Sequence, residues 1–211
     1  MKFHVITPLA RYGNVPDIIS MLENQNVVWH VITDDDSKET FTPTHPWIMH
    51  HVCPNSGMEF WKRCNYSINW FIENTEIIPD DMYCFMNDDD GYYPQFFKRM
   101  YYVVEECKRT DQPSEVIICS MERGHAIPDG LTPERRHPTY TLIAHPRSMH
   151  VGGVGVEQIF ISGKVLSENR LPIHIYGDGM MISDIVNRYP TTYVPQLFVL
   201  FNYLEPGRWK K

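Results

Sequence analysis

The stretch Tyr83-Cys84-Phe85-Met86-Asn87-Asp88-Asp89-Asp90-Gly91-Tyr92-Tyr93-Pro94 constrains the fold of this chain more than any other. Its first four residues follow the turn-like Pro79-Asp80-Asp81 and read as a short buried strand, and Pro94 can open a helix. The order is strand, acids, helix. Three successive carboxylates repel one another, by about 1 kcal/mol per pair at ~4 Å even in water. Two compensations are open. Solvent suffices on an ordinary surface turn, where Asp is common. A hard divalent cation, Mg²⁺ or Mn²⁺, prefers oxygen ligands and often takes one or two carboxylates. If the chain stays extended here, Asp88 and Asp90 point to the same side and can share one ion, while Asp89 points away.

At 211 residues the chain can bury one substantial core, and one domain is expected. A hydrophobic fraction of 43% with 13% aromatics is that of a folded protein. The net charge of −7 is spread along the sequence, so no basic face for nucleic acid is evident. Five scattered cysteines, Cys53, Cys64, Cys84, Cys107 and Cys119, sit mostly in apolar segments and read as reduced, buried thiols. No apolar run approaches the roughly 20 residues that span a bilayer, and the N-terminus lacks a secretory apolar region. The expectation is a soluble, cytoplasmic protein without a membrane span.

Along the chain, Lys2 to Ile6 reads as a first buried strand, Thr7 to Asn14 as a loop, and Asp17 to Asn24 as a helix entered through Pro16. Val27 to Thr33 is a second strand running into Asp34-Asp35-Asp36. Two strands ending in acids suggest a parallel sheet whose carboxyl edge gathers polar groups, the usual ligand place in an open α/β sheet. Pro46 to Val52 is a third strand. The nearby His45, His50, His51 and Cys53 fit no familiar structural zinc spacing, and the reading preferred to a zinc site is a strand with solvent-facing histidines. Gly57 to Asn74 is the clearest helix, with Met58, Trp61, Ile68, Phe71 and Ile72 on one side and Arg63, Asn65 and Asn69 off that stripe. Pro94 to Cys107 is an amphipathic helix carrying Phe96, Phe97, Met100, Tyr101 and Val104, and Val116 to Ser120 a buried strand. Arg123 to Pro138 is a long polar loop of the kind that is often functional. Tyr140 to His145 reads as a strand. Gly152-Gly153-Val154-Gly155 lacks the G-x-G-x-x-G spacing, so a dinucleotide site is not supported. Glu157 to Leu166 reads as a helix, Ile173 to Tyr176 as a strand, Met180 to Tyr189 as a helix and Val194 to Leu204 as a last extended element. Asp178 then stands at a strand-to-helix junction. The basic Arg208-Trp209-Lys210-Lys211 reads as a terminus or as a linker to further domains beyond Lys211.

In this order the features resemble the metal-dependent glycosyltransferases of the GT-A fold, virally encoded members included. The resemblance rests on the opening strand leading into Thr7-Pro8, the second strand ending in Asp34, Arg63-Cys64-Asn65 on the helix before the acidic strand, Asn87-Asp88-Asp89-Asp90 with Pro94 beyond, and Gly177-Asp178 before a helix. The chain departs from common patterns at Cys64, where Ala is frequent, and at Gly179, where a second acid often follows. The family implies a Rossmann-like α/β fold, a mixed, mostly parallel central sheet flanked by helices. It also implies one domain over 1–211, with a nucleotide-binding half to about residue 120 and an acceptor-binding half from 121.

The resemblance further implies transfer of a hexose or deoxyhexose, of glucose or rhamnose type, from a UDP-sugar to a glycan acceptor in the cytoplasm, the host's for a viral protein. Asp88 and Asp90 would hold Mn²⁺ or Mg²⁺, and Asp89 would orient a ribose or sugar hydroxyl. Thr7, Pro8, Ala10, Arg11 and Asp34 would bind the nucleoside and Arg63 the base or diphosphate, with Asn65 and Asn69 as further donor-binding residues. Asp178 would serve as the base in an inverting reaction or bind a hydroxyl in a retaining one. A third metal ligand from His145, His150 or His174 is an open option. Two alternatives stand beside this reading. A nucleotidyltransferase also uses Asp-bound Mg²⁺ but usually carries a Gly-rich basic loop after its first strand, which Leu9-Ala10-Arg11-Tyr12-Gly13 matches poorly. A non-catalytic nucleotide-sugar-binding module would keep the fold without the base.

Overall fold

The computed structural model describes residues 1–54, 57–124, 138–151, 154–201 and 204. Its strands are β1 (Phe3–Pro8), β2 (Val27–Asp34), β3 (Ile48–Cys53), β4 (Met82–Phe85), β5 (Gly91–Tyr92), β6 (Val116–Gly124), β7 (Pro138–Leu142), β8 (Ile159–Ser162) and β9 (Thr192–Phe201). Its helices are α1 (Val15–Leu22), α2 (Phe60–Asn74), α3 (Phe96–Arg109), α4 (Gly163–Ser167) and α5 (Gly177–Arg188). All nine strands join one sheet in the order β3-β2-β1-β4-β8-β6-β9-β5, with β7 on the far part of β6. β1, β2, β3 and β4 pair in parallel, as do β6 and β9, while β5, β7 and β8 run against their neighbours. The result is the expected mixed, mostly parallel, Rossmann-like sheet flanked by helices. Strands from early and late sequence alternate within it, because β8 inserts between β4 and β6.

Both faces of the sheet are covered, which is why its central strands are apolar without alternation. On one face Ile18 and Leu22 of α1 and Phe96, Phe97, Met100 and Val104 of α3 pack on Phe3, Val5, Trp29 and Val31. On the other, Ile68, Phe71 and Ile72 of α2 and Met181, Ile182 and Ile185 of α5 pack on Ile6, Ile32, Tyr83 and Phe85. No helix among the described residues is long and apolar enough to cross a membrane. Cys53, Cys84, Cys107 and Cys119 are buried free thiols and Cys64 is half-buried.

Several expectations are corrected. Ile159–Ser162 is a strand, preceded by a 3-10 turn at Val156–Gln158, where one helix over 157–166 was expected; only Gly163–Ser167 of that stretch is helical. A wholly buried four-residue strand shows no alternation, and Ile161 and Val165, four apart, imitate a helical stripe. Ile173 to Tyr176 is a turn with Ile173 and Ile175 exposed, not a strand. Met58 precedes α2 and is exposed, as is Tyr101 of α3, so neither belongs to a buried stripe. His50 and His51 are half-buried and hydrogen-bonded, to Thr33 and His30, and do not simply face solvent. The loop expected over 123–138 lies largely outside the described residues, as do the side chain of Trp61, the pair Gly152-Gly153 and the basic 208–211 segment.

One polar row crosses the sheet beneath α2. His4 Nε2 lies 3.1 Å from Asp81 Oδ2, His4 Nδ1 lies 2.8 Å from His30 Nε2, and His30 Nδ1 lies 3.0 Å from His51 Nε2. Asp81 can only accept when ionised, so each neutral ring carries its hydrogen on Nε2 and donates toward Asp81 in turn. Burial lowers the pKa of all three rings, and His30, also beside His4 and His51, is lowered to about 3.

Candidate functional site

The parallel strands β1, β2 and β4 end together, and the residues just past them form the site. β1 delivers Pro8 to the loop 9–14, pinned to β2 by Leu9 N–H donating to Ile32 O at 2.8 Å. β2 delivers Asp34, and β4 delivers the acidic residues. This is the carboxyl edge where open α/β sheets place ligands.

The acidic residues do not stay extended. Asp90 N–H donates to Asn87 O at 3.1 Å, closing a turn over 87–90. The expected same-side presentation of Asp88 and Asp90 by strand alternation is therefore corrected, because a turn breaks the period of two. All three acids are buried, Asp88 and Asp90 to 1% exposure. Protein donors compensate them. Asp88 Oδ2 accepts from Ala10 N–H at 2.6 Å and Arg11 N–H at 2.5 Å, and Asp88 Oδ1 meets Arg11 Nη1. Arg11 Nη2 reaches Asp89 Oδ2 at 3.2 Å. Burial raises the Asp89 pKa, with Arg11 opposing and Asp88 adding to the rise.

Groups from distant sequence brace this turn. Asn14 Nδ2 donates to Asp88 O at 2.8 Å, and Leu204 N–H donates to Asp89 O at 2.8 Å. Asn87 N–H donates to Asp90 Oδ2 at 3.1 Å, and Asn87 Nδ2 donates to Glu157 Oε1 at 2.8 Å. Glu157 is 3% exposed. A Cβ at residue 155 would lie 2.1 Å from Glu157 Oε2, so Gly155 leaves the room that this buried carboxylate occupies. Sequence reasoning missed Asn14 and Glu157 as members of the site. Asn14 carried no signal beyond its place in the first loop, and Glu157 was hidden by assignment to a helix.

Beside the turn, Pro8, Ala10, Asp34, Arg63, Cys64 and Ser67 line a cleft. Arg63 Nη1 lies 3.0 Å from Asp34 Oδ2. Burial raises the Asp34 pKa against Arg63, with Asp36 and Asp35 adding to the rise. Burial also pushes the Cys64 thiol up to about 12, with Asp88 contributing, so Cys64 stays a neutral thiol between the two acidic groups. Thr7 is fully buried, and its Oγ1 accepts from the Trp29 indole N–H at 3.0 Å.

Asn65 and Asn69 use their amides within the protein. Asn65 Nδ2 donates to Pro172 O at 3.1 Å and His174 O at 3.0 Å. Asn69 Nδ2 donates to Leu171 O, and its Oδ1 accepts from Leu171 N–H, both at 2.8 Å. Together they hold the turn that leads into α5, whose first turn carries the half-buried Asp178. A Cβ at residue 177 would lie 2.1 Å from Pro172 O and 2.6 Å from Asn65 Nδ2, so only glycine lets α5 start this close to α2. α5 also packs against the 156–158 turn. The start of α5, which carries Asp178, is thus held against α2, and α5 as an element lies against the Glu157 segment. His145, His150 and His174 are all exposed, and the Nδ1 atoms of His145 and His174 accept from the backbone N–H groups of Arg147 and Tyr176.

No protein-family profile matches the sequence, and no curated protein matches it at the level that marks a relative. Among solved structures, the chain is similar to a crystal structure of 4-diphosphocytidyl-2C-methyl-D-erythritol synthase, with a TM-score of 0.50 and 12% identity over 96% of this chain and 91% of that one. At that identity the likeness is one of fold, and it agrees with the Rossmann-like sheet whose carboxyl edge carries the cleft and the acidic turn.

Proposed function

We propose that the chain is a glycosyltransferase that moves a hexose or deoxyhexose from a UDP-sugar to a glycan acceptor with the help of Mn²⁺ or Mg²⁺. The observation that supports this most is the convergence, at the carboxyl edge of β1, β2 and β4, of the Arg11 loop, the Asp34–Arg63 pair and three buried aspartates. Asp34, as a carboxylate, accepts the uracil N3 hydrogen, with Pro8 and Ala10 alongside the base. Arg63 faces the diphosphate side. Thr7, Asn65 and Asn69 act in this reading by holding their neighbours in place, since their polar atoms are used within the protein.

The donor set suits a hard cation in kind, being all oxygen, with Asp88 and Asp90 as its holders. When bound, such a cation neutralises charge on the departing diphosphate. Asp88 already takes three donors from Ala10 and Arg11, so its guanidinium contact would yield to the ion, freeing Arg11 for a phosphate oxygen. Asp89 orients a ribose or sugar hydroxyl. In an inverting reaction Asp178 takes the proton of the acceptor hydroxyl as its oxygen bonds to the anomeric carbon, while the sugar–phosphate bond breaks and UDP leaves with the electron pair.

The second reading is a nucleotidyltransferase, a class that the shared fold also accommodates, and the poor match of the 9–13 loop to a Gly-rich basic loop weighs against it. Melting with UDP and Mn²⁺, beside chelator and an Asp90→Ala variant, tests binding. A ligand at 100 times its Kd adds about 2.7 kcal/mol, or about 5–10 °C here. UDP release from a UDP-sugar with acceptor supports the transferase. Pyrophosphate release from UTP or CTP with a sugar phosphate replaces it with the alternative, and metal-dependent binding without either release leaves a binding module. No shift with any nucleotide removes all three.

A further inference from the structure

At the opposite end of β1 from the acidic turn, a groove of about 550 Å³ runs between the end of α1 and the start of α3. That volume lies within the range of small-molecule sites. Its floor is aromatic and buried: Phe3 from the first residue of β1, Tyr92 from β5 and Phe97 from α3. Its rim is polar, with Asn24 and Asn26 on the α1 side and Gln95 and Lys98 on the α3 side. The exposed rings of Tyr101 and Tyr102, the latter 62% exposed, complete it.

Two observations mark this groove as built rather than incidental. Four non-glycine residues among those described have left-handed backbone, Asn24, Asn26, Gln95 and Asp111, and the first three line this one cavity. Asparagine tolerates that conformation, but glutamine does so at a cost and gains nothing as a helix cap, since its side chain makes no capping bond. Strain of this kind gathers at binding sites. The two walls are also fixed to each other. Gln25 Oε1 accepts from Phe97 N–H at 3.2 Å while its Nε2 donates to Met21 O, so one side chain ties the end of α1 to the start of α3.

The geometry points to a second ligand site here, for a neutral saccharide. Each rim carboxamide offers a donor and an acceptor, which matches a hydroxyl group, itself both. The charged side chains of the lining, Glu23 and Lys98, are of opposite sign, and the Met1 ammonium at its edge lies 3.8 Å from Asp81, so no single charge dominates the groove. The exposed tyrosine rings offer faces for the C–H side of a pyranose, with their hydroxyls in water. This inference stands apart from the proposed nucleotide-sugar chemistry, which uses none of these residues.

The test is an NMR titration of the full chain with maltotriose, cellotriose and mannotriose at millimolar concentration, with benzyl alcohol as an apolar aromatic control. The expected result is binding of at least one trisaccharide, with shifts centred on residues 20–26 and 95–102 that persist in the Asp90→Ala variant. Gln95→Gly and Tyr102→Ala each weaken that binding about tenfold. Because Gln95→Gly removes a strained backbone conformation, it does so without lowering the melting temperature, which separates a binding role from a folding one. The inference is overturned if none of the trisaccharides shifts these residues, if benzyl alcohol alone does, or if both variants bind as tightly as the parent.

Discussion

Arg11 faces two buried carboxylates at once and, with two backbone amides, is what makes the acidic turn tolerable without solvent. Removing one partner of such a set leaves an uncompensated buried charge. Arg11→Ala should therefore lower stability by about 3 kcal/mol, or about 6–12 °C in melting temperature for a chain of this size. Manganese supplies a distinguishing measurement. If Asp88 and Asp90 hold a cation, Mn²⁺ raises the melting temperature of Arg11→Ala more than that of the parent; an equal shift in both would separate the turn from metal binding. The residue types at this site were legible in the sequence, because three successive acids after an apolar run demand a partner. The partner itself was not. Arg11 precedes the turn by 77 positions, and only the pairing of β1 with β4 brings the two together.

The histidine row is a property of three strands rather than of any one residue. Burial favours the neutral form of each ring in the folded state, with the His30 pKa lowered from 6.5 to about 3, while in the unfolded chain each titrates near its ordinary value. The unfolded state thus takes up protons first as pH falls. The stability contributed by neutral burial is complete above about pH 6.5 and is lost as pH falls toward the folded value. Urea midpoints should show about 2–3 kcal/mol of loss from His30 alone between about pH 6.5 and pH 4.5, in the direction that His4 and His51 reinforce. A His30→Gln variant should lose most of that slope.

Elements with one clear environment were readable in advance. β1, β2, β4 and β6 are apolar runs buried on both faces, and α2 and α3 each keep a buried stripe. β8 was not, since four buried residues carry no period. Nor was the turn at 173–176, where Ile-His-Ile-Tyr alternates like a strand but Asn65 and Asn69 claim the neighbouring backbone polar groups.

At the scale of the whole molecule, the sheet threads early and late sequence together, so the two halves cannot separate without breaking β4–β8 pairing. Phe160, in the middle of β8, touches the rings of Phe3, Tyr92, Phe96 and Phe97. Phe160→Ala should cost about 3–5 kcal/mol and lower a single transition, with tryptophan fluorescence and far-ultraviolet circular dichroism keeping coincident midpoints. Two separated midpoints would instead divide the chain into two domains.

The acidic turn receives hydrogen bonds from residues 10, 11, 14 and 204 and gives one to residue 157. During synthesis the chain leaves the ribosome from its N-terminus, and early segments can fold while later ones are still being made. Strands β1 to β4 can then pair long before Leu204 emerges, but the turn they lead to cannot receive its full set of braces until that residue arrives. A segment that stops short of residue 204 would therefore build these strands yet leave the Asp89 carbonyl without the Leu204 N–H that braces it.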